Sequence, residues 1–460
     1  MLMQWKVRPP LSSSNGQVWI GPGCTSKSSG FYLGWSAEHS PGSPPRIWVS
    51  TLKEQVIAIT GKRGSGKSFT LGVIAEGMTI DGGAKNVEVA LNSTQRAVLF
   101  FDPLDLYWTL RLPVQQSINS EVNDQYLLAR ASGLDNISFN VEAWVPGVAN
   151  RRTTDPTWFQ TLSIPVSSLD IEEWGMLLNG VLQTDPMGQV LFECIDRARD
   201  QHGINYDISD LLIICQRPAV ASNFQPETCR ALRQRLIALE RTGLLTRTGT
   251  NLKDLLVPGK TAVILLNRLN QTDREIVVSV LSRLLISERQ NASAIEKRLA
   301  FDSNLSEEER LLLNVSLQSY APKTFIIMDE AHAFLSPASR RCTRDTFTQI
   351  AKEGRNYGVS LAVATQQPSA IDKGILSQVE LFISHQLVTE SDIRSVLDNM
   401  KSSIPDSINF GPQQQTISSA LRSIGTGYCI ISASDMSENP KRTVFARIRP
   451  RSSVHGGIEI

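Results

Sequence analysis

The chain has 460 residues, which is enough for two or three domains with buried cores. Its net charge is +1, so the composition excludes a uniformly basic nucleic-acid-binding protein and leaves only a local basic surface or pore for that role. The six cysteines are scattered without C-x-x-C spacing, which argues against a zinc site or a disulfide framework. No apolar run approaches the roughly 18 residues of a membrane span, so we expect a cytoplasmic protein without membrane contacts.

The N-terminal region differs in composition from the rest of the chain. Residues 1–50 are rich in Ser, Gly and Pro, and short apolar stretches at 17–20, 31–35 and 46–49 lie between turn-forming residues. We interpret this region as a short N-terminal β-rich module or arm.

Short apolar runs then alternate with helical patterns. An apolar run that ends at a glycine or an acidic residue is typical of a buried strand in a parallel sheet. Helical stretches at 68–78 and 273–289 lie between such runs, so we predict a doubly wound α/β core with a mainly parallel sheet. We assign residues 51–112 to the first part of this core and residues 258–450 to the second. The predicted core strands are 56–60, 97–101, 261–266, 324–328, 360–364, 381–384 and 427–431.

The segment between the two core parts shows few strand signals. Helix-like stretches at 171–182, 188–199 and 227–242 lead us to interpret residues 113–257 as a helical insertion. The sequence leaves open whether this insertion is a DNA-entry collar, a partner platform or packing mass. Residues 291–320 are interpreted as a variable surface segment.

The C-terminal part of the chain is basic. Residues 441–451 contain five basic residues and no acidic one. Three apolar residues alternate there with aromatic or basic ones: Val444, Ala446 and Ile448 with Phe445, Arg447 and Arg449. The alternation predicts either a strand with one apolar and one basic-aromatic face or a plain edge strand with solvated charges. Residues 451–460 are the C-terminal tail.

A phosphate-binding loop is the most specific motif in the chain. Residues 61–68 match the pattern G-x-x-x-x-G-K-[ST] between a predicted strand and a predicted helix. Glycines let backbone N–H groups surround a phosphate, and the following helix adds its positive end. Lys67 is predicted to reach the β- and γ-phosphates of ATP, and Ser68 to ligate Mg²⁺. The predicted ATP-binding residues are Gly61, Lys62, Arg63, Gly64, Ser65, Gly66, Lys67, Ser68 and Phe69.

A second part of the nucleotide site follows the apolar run at 324–328. This run ends at Asp329 and Glu330, and parallel sheets place ligands at the carboxyl ends of their strands. Asp329 is predicted to hold Mg²⁺ through water, and Glu330 to polarise the water that attacks the γ-phosphate. The adjacent pair favours ATP hydrolysis over a kinase reaction.

Two further polar residues are candidates for catalysis. Gln366 follows the strand predicted at 360–364, where a polar side chain can sense the γ-phosphate. Arg355 lies between this strand and the one that ends at Asp329, and it is a candidate to complete the active site of a neighbouring subunit. The alternative for Arg355 is a solvated arginine on a surface helix.

The order of these motifs resembles the HerA family of ATP-driven DNA translocases and helicases, within the HerA/FtsK group. The resemblance includes Phe101-Asp102-Pro103-Leu104-Asp105-Leu106-Tyr107, which is similar to the family's Asp-Pro-x-Gly-Glu-Tyr segment with Asp105 in place of the glutamate. It covers about residues 50–112 and 252–450. The other matching segments are 254–261, 329–332, 351–359, 364–369 and 375–378.

This resemblance implies a RecA-like P-loop core in a homo-oligomeric ring, expected to be a hexamer, with ATP between subunits and DNA in a central pore. It implies that Arg355 acts in trans, that Asp102 lies near the nucleotide, and that the C-terminal strand and tail brace a neighbouring subunit. Many family members have a β-barrel before the P-loop. Because only about 55 residues precede the first core strand here, we expect the barrel to be reduced or absent.

The sequence therefore predicts an ATP-hydrolysing, ring-forming DNA translocase or helicase that works with a nuclease. An alternative is an anti-phage defence ATPase that regulates a partner effector protein. A third hypothesis, a secretion or conjugation motor, is disfavoured because the sequence shows no membrane anchor.

Overall fold

The computed structural model describes residues 4–21, 23, 29–40, 42–79, 89–91, 96–178, 180, 184–437, 439 and 442–457. The strands are β1 (Lys6–Arg8), β2 (Gln17–Ile20), β3 (Gly30–Ser36), β4 (Arg46–Ser50), β5 (Val56–Thr60), β6 (Ala90–Leu91), β7 (Ala97–Asp102), β8 (Val141–Pro146), β9 (Gln160–Leu162), β10 (Ile164–Pro165), β11 (Leu245–Thr246), β12 (Thr261–Leu265), β13 (Thr324–Met328), β14 (Val359–Thr365), β15 (Leu381–Ser384), β16 (Ser407–Phe410), β17 (Gln413–Gln415), β18 (Tyr428–Ala433) and β19 (Val444–Ile448).

The α-helices are α1 (Lys67–Met78), α2 (Ser120–Ala131), α3 (Ile171–Leu178), α4 (Pro186–His202), α5 (Ile208–Gln216), α6 (Pro218–Ala221), α7 (Pro226–Thr242), α8 (Leu252–Leu255), α9 (Gln271–Phe301), α10 (Glu307–Leu317), α11 (His332–Leu335), α12 (Arg341–Tyr357), α13 (Lys373–Leu376), α14 (Glu390–Asn399) and α15 (Ile417–Ser423). Short 3₁₀ turns lie at Trp108–Arg111, Val148–Asn150, Val166–Ser168, Leu266–Arg268 and Pro368–Ala370.

One large sheet organises the molecule. Its strand order is β2-β4-β3-β19-β18-β15-β5-β14-β13-β7-β12-β8-β9, with β6 beside β3. All strands from β15 to β9 along this order pair in parallel, whereas β18, β19 and β3 pair with their neighbours in antiparallel fashion. The predicted α/β class with a mainly parallel sheet is confirmed.

Both faces of the central strands are covered, which explains why these strands are apolar throughout. Along β5, Ile57 and Ile59 face one core together with Leu71 of α1, because alternate residues of a strand point to opposite sides. Val56 and Ala58 face the other core, which α9 and α12 cover. The sheet therefore forms the middle of three layers.

The N-terminal strands are not a separate module. β4 pairs with β3, and β3 pairs with β19, so these strands continue the main sheet beyond its parallel part. The sequence shows their existence, but strand partners are set by the tertiary fold and not by local pattern.

The segment 113–257 is only partly helical, and its prediction as a helical insertion was wrong where β8 and β9 lie. β8 and β9 extend the main sheet next to β12. The helices α3, α4 and α7 lie close to where helical stretches were predicted, and α5 is a further helix that was not predicted.

Residues 291–320 lie largely at the surface, as expected, but they are helical, because α9 runs on to Phe301 and α10 follows it. Arg289 fixes this part of α9. Its guanidinium is 2% exposed and donates to the Tyr357 carbonyl at 2.7 Å and to the Ala321 carbonyl at 3.0 Å. A capping box between Ser306 and Glu309 starts α10, a local signal that the sequence did contain.

The C-terminal strand is an inner strand, so the edge-strand alternative was wrong. β19 lies between β18 and β3. Arg449, at its end, is fully buried and pairs with Glu76 of α1 at 2.6 Å. The residues that follow therefore pack against the P-loop helix of the same chain.

Candidate active site

The predicted site residues converge at one edge of the sheet. β5 leads into residues 61–68, β13 leads into Asp329 and Glu330, and β14 leads into Gln366. These three strands are parallel neighbours, in the order β5-β14-β13, so their carboxyl ends lie side by side. The structure thus brings together the two halves of the nucleotide site that the sequence separates by about 260 residues.

The loop at 61–68 has the backbone conformation of an anion cradle. Gly64 and Gly66 have φ values of 74° and 113°, in the left-handed region that favours glycine. α1 starts directly after Gly66 and directs its free N–H groups towards the loop. The Lys67 ammonium donates to the Lys62 carbonyl at 2.9 Å, and burial lowers the pKa of Lys67 from its ordinary value.

Asp329 is fully buried and receives hydrogen bonds on both carboxylate oxygens. Oδ2 accepts the Ser68 hydroxyl at 2.9 Å, and Oδ1 accepts the Glu330 backbone N–H at 2.8 Å. The two side chains predicted to hold Mg²⁺ are therefore in direct contact.

A tyrosine that sequence reasoning did not single out also binds Asp329. The Tyr107 hydroxyl donates to Asp329 Oδ2 at 2.6 Å from a fully buried position. Asp102 sets this geometry, because its carboxylate accepts the N–H groups of Leu104, Leu106 and Tyr107 at 2.8–3.0 Å. Burial raises the pKa of Asp102 to about 7. Asp102 thus shapes the loop that carries Tyr107.

Glu330 has a strained backbone and one free carboxylate oxygen. Its φ of 49° is uncommon for a residue other than glycine, and such strain is concentrated at functional sites. Oε1 accepts a hydrogen bond from the Gln366 side-chain amide. Among the described residues, Oε2 has no hydrogen-bond partner, although His332 Nδ1 lies 3.4 Å from it. This oxygen is therefore a buried acceptor without a hydrogen bond in the described part of the chain.

His385 bonds to Thr70 in the helix that follows the P-loop. No sequence motif indicated this residue. The ring is fully buried, with Nδ1 2.8 Å from the Tyr428 carbonyl and Nε2 2.9 Å from the Thr70 hydroxyl. A carbonyl only accepts, so Nδ1 carries the proton and Nε2 is the acceptor. Burial lowers the pKa of His385 to about 4, which keeps the ring neutral.

Arg355 is not part of this edge in its own chain. It lies near the end of α12, before β14, whereas Gln366 follows β14. A strand of seven residues separates the two by about 23 Å. The Arg355 side chain is 57% exposed, and its guanidinium lies 4.0 Å from Glu380.

The side chains present fit a magnesium–nucleotide complex. A hydroxyl and a carboxylate, Ser68 and Asp329, are hard oxygen ligands of the kind that Mg²⁺ takes beside phosphates. In the described part of the chain, no group of three or more His, Cys, Asp or Glu residues is arranged to hold a metal by itself. A metal bound here would thus share its coordination with phosphate oxygens and water.

Comparison with known families identifies the chain. Residues 36–285 match the model of the HerA helicase central domain, which covers more than half of the chain, and residues 316–459 match that of the HerA-like C-terminal domain. The chain belongs to the HerA helicase family. The match is wider than the two segments predicted from motifs, because it includes β8, β9 and the helices that follow.

Individual HerA proteins match over a shorter stretch. The DNA double-strand break repair helicase HerA of Sulfurisphaera tokodaii is 29% identical over 166 residues, which are 35% of this chain and 29% of that protein. HerA of Pyrococcus furiosus is 28% identical over 155 residues, which are 33% of this chain and 28% of that protein. The aligned part thus spans less than a third of the length of these relatives.

The fold has a counterpart among solved structures. VirB4 of Thermoanaerobacter pseudethanolicus superposes with a TM-score of 0.52 at 14% identity, over 93% of this chain and 98% of that one. This likeness shows that the two chains share a fold. None of the helices in the described part of the chain has the length and apolarity that a bilayer span needs.

Proposed function

We propose that this HerA-family chain is an ATP-hydrolysing, ring-forming DNA translocase or helicase. The observation that carries the proposal is the constellation of Ser68, Asp329, Glu330 and Gln366 beside a P-loop at one edge of the sheet. It supports hydrolysis because Glu330 has a carboxylate oxygen without a hydrogen-bond partner among the described residues and follows a strand whose carboxyl end lies on the same side of the sheet as the P-loop.

The proposed roles follow from the contacts. The backbone of residues 61–68 and the Lys67 ammonium hold the phosphates, which requires Lys67 to leave the Lys62 carbonyl. Ser68 as a direct ligand and Asp329 through water would hold a magnesium ion, which would neutralise phosphate charge. Glu330 Oε2 orients the attacking water and takes its proton. The Gln366 amide donates a hydrogen bond to Oε1 and senses the γ-phosphate.

We further propose that Arg355 acts on the ATP of a neighbouring subunit. Its position beyond the far end of β14 supports this role, because it is about 23 Å from its own site and exposed. A ring of identical subunits, expected to have six, would place it at the next nucleotide, where an arginine finger accelerates hydrolysis by roughly 10³–10⁵.

The proposed substrate is DNA in the central pore of the ring, together with a nuclease or a defence effector as partner. Family membership supports DNA as the substrate. Isolating the native assembly and identifying its co-purifying proteins tests the proposed partner.

The decisive assay is the ATPase rate of the assembled protein with and without duplex DNA. We expect stimulation that falls with added salt, because lysine and arginine contacts to phosphates release counterions. An unchanged rate in an assembled ring would contradict the proposal.

A further inference from the structure

Helix α10 carries an apolar face that is open to solvent in the single subunit. None of the residues Glu307–Leu317 is buried, although several of them are leucine or valine. Leu311, Leu312 and Val315 are between 59% and 68% exposed, and they share one side of the helix because Val315 is four and three residues from the two leucines. A helix of 11 residues is marginal by itself and is normally stabilised by packing of its apolar face. We call these three residues the α10 face, and its exposure is typical of a protein–protein contact.

The α10 face lies on the side of the subunit that carries Arg355. The Ser293 hydroxyl of α9 donates to the Asn356 carbonyl, next to Arg355, at 2.9 Å. From there α9 continues to its end over about 12 Å, and α10 folds back onto that end, because the Arg310 guanidinium donates to the Asp302 carbonyl at 3.2 Å. The proposed arginine finger and the α10 face are therefore parts of one surface.

A second apolar face is exposed on α2. In this helix, which the structure describes in full, only Ala129 is buried. Leu127 and Leu128 are 54% and 51% exposed, and the exposed Ala131 continues their side of the helix at a spacing of four and three residues. Leu127, Leu128 and Ala131 form the α2 face, with the same spacing as the residues of the α10 face.

The α2 face lies beside the P-loop. The His455 backbone N–H donates to the Gln125 side chain of α2 at 2.9 Å, and the His455 ring packs edge-on against Phe69 of α1, with ring centroids 5.5 Å apart. Leu128 and Lys67 line the same cavity. The α2 face thus borders the P-loop, as the α10 face borders Arg355.

Charged side chains of opposite sign lie next to the two faces. Glu307 and Glu308 are exposed on the first turn of α10. Arg130 is exposed on the last turn of α2, and Arg63 is exposed in the P-loop. Opposite charges around an apolar contact steer two surfaces together and fix their register. The charges therefore favour a contact between these two faces over a contact of either face with itself.

We propose that the α10 face of one subunit packs against the α2 face of the next subunit in the ring. A head-to-tail contact joins two different surfaces of the same chain, and these two faces supply such a pair. The contact brings the surface that carries Arg355 to the surface that carries the P-loop. This inference rests on the proposed ring-forming function, and it adds the surfaces that hold neighbouring subunits together.

The test places a charge in each face and measures assembly with Mg²⁺ and a non-hydrolysable ATP analogue. The variants are Leu312→Glu in the α10 face and Leu127→Glu in the α2 face. The matched control is Ile213→Glu, because Ile213 is 55% exposed on α5, outside both faces. Sedimentation velocity and native mass spectrometry report the assembly state. Thermal unfolding of each monomer, which should match the wild type because the replaced side chains are exposed, shows that the variants fold.

Each face variant alone should raise the protein concentration for half-assembly at least about tenfold, while Ile213→Glu should assemble as the wild type does. An equal mixture of the two face variants, at a concentration where neither assembles alone, should form heterodimers and no rings. The reason is that one intact α10 face and one intact α2 face remain in each pair, so a single contact forms and cannot propagate.

Normal assembly of either face variant would overturn the contact, because the altered face would then not lie between subunits. Rings in the mixture would also overturn it. A wild type that stays monomeric would contradict the proposed ring itself, so failure of this contact and failure of the proposed function give different results.

Discussion

At the scale of single residues, Asp329 Oδ2 accepts hydrogen bonds from both Ser68 and Tyr107. A metal ion beside the P-loop would take the Ser68 oxygen as a ligand, whereas Tyr107 can stay bound to Asp329. Tyr107 is therefore a positioning residue for the carboxylate, and Asp102 positions Tyr107 in turn.

Tyr107→Phe removes one hydrogen bond to a carboxylate, an interaction worth about 1.5–3 kcal/mol. We expect the ATPase rate to fall about tenfold or more and the Mg²⁺ concentration for half-maximal rate to rise. A magnesium titration measures both, with Tyr320→Phe as the control away from the site. A lower rate with an unchanged magnesium requirement would mean that Tyr107 does not act through the metal side of Asp329.

Glu330→Gln keeps the shape of the side chain but removes its ability to take a proton. The variant should bind ATP with nearly wild-type affinity and lose hydrolysis by about two orders of magnitude or more. Nucleotide binding and steady-state turnover are measured on the same preparation. Normal turnover would show that the base has been misassigned.

His385 makes stability depend on pH. Its folded pKa of about 4 lies below the unfolded value of 6.5, so its contribution is fully present above pH 6.5 and is lost as the pH falls towards 4. Between pH 7.5 and pH 5 the wild type should lose about 2 kcal/mol more unfolding free energy than His385→Asn. Urea denaturation at both pH values measures the difference, and parallel pH profiles would argue against a buried neutral ring.

At the scale of elements, α9 fixes the end of α12 that carries Arg355. Arg289 donates to the Tyr357 carbonyl, and the Ser293 hydroxyl donates to the Asn356 carbonyl at 2.9 Å. These two contacts from α9 hold the end of α12 next to Arg355 in place.

Arg289→Lys keeps the charge but cannot reproduce the planar fork that reaches two carbonyls and Glu296. We expect a loss of roughly 2–3 kcal/mol in unfolding free energy. Arg298→Lys is the control, because Arg298 is half-exposed on the same helix and its ion pairs are 3.8 Å long. It should change stability by less than about 0.5 kcal/mol. Equal losses in the two variants would refute the role of Arg289.

Sequence reasoning located the central strands and the motif residues because each depends on local signals. β5, β13 and β14 are short apolar runs, and the P-loop glycines follow a fixed spacing. The roles of Tyr107, His385 and Glu76 could not be predicted, because their hydrogen-bond partners are hundreds of residues away in the chain, as in the contact between Glu76 and Ser453. The inner position of β19 was missed for the same reason, since alternation reveals a strand but not its neighbours.

At the scale of the whole molecule, the residues proposed for catalysis lie on two distant parts of the subunit surface. The P-loop, Asp329 and Glu330 lie at the carboxyl edge of the sheet, and Arg355 lies beyond its opposite edge. A head-to-tail arrangement of identical subunits brings such edges together and closes into a ring when the rotation permits. Under this proposal, catalysis is a property of the interface between subunits and not of the single chain.

The most direct test mixes Arg355→Ala subunits with Lys67→Ala subunits over a range of ratios, with native mass spectrometry to establish that mixed rings form. Each pure variant should be inactive, since every site lacks either the finger or the P-loop lysine. Random mixing at equal amounts restores both groups at roughly a quarter of the sites, so ATPase activity should reappear and be highest near that ratio. Mixed rings that stay inactive at every ratio would contradict the shared site.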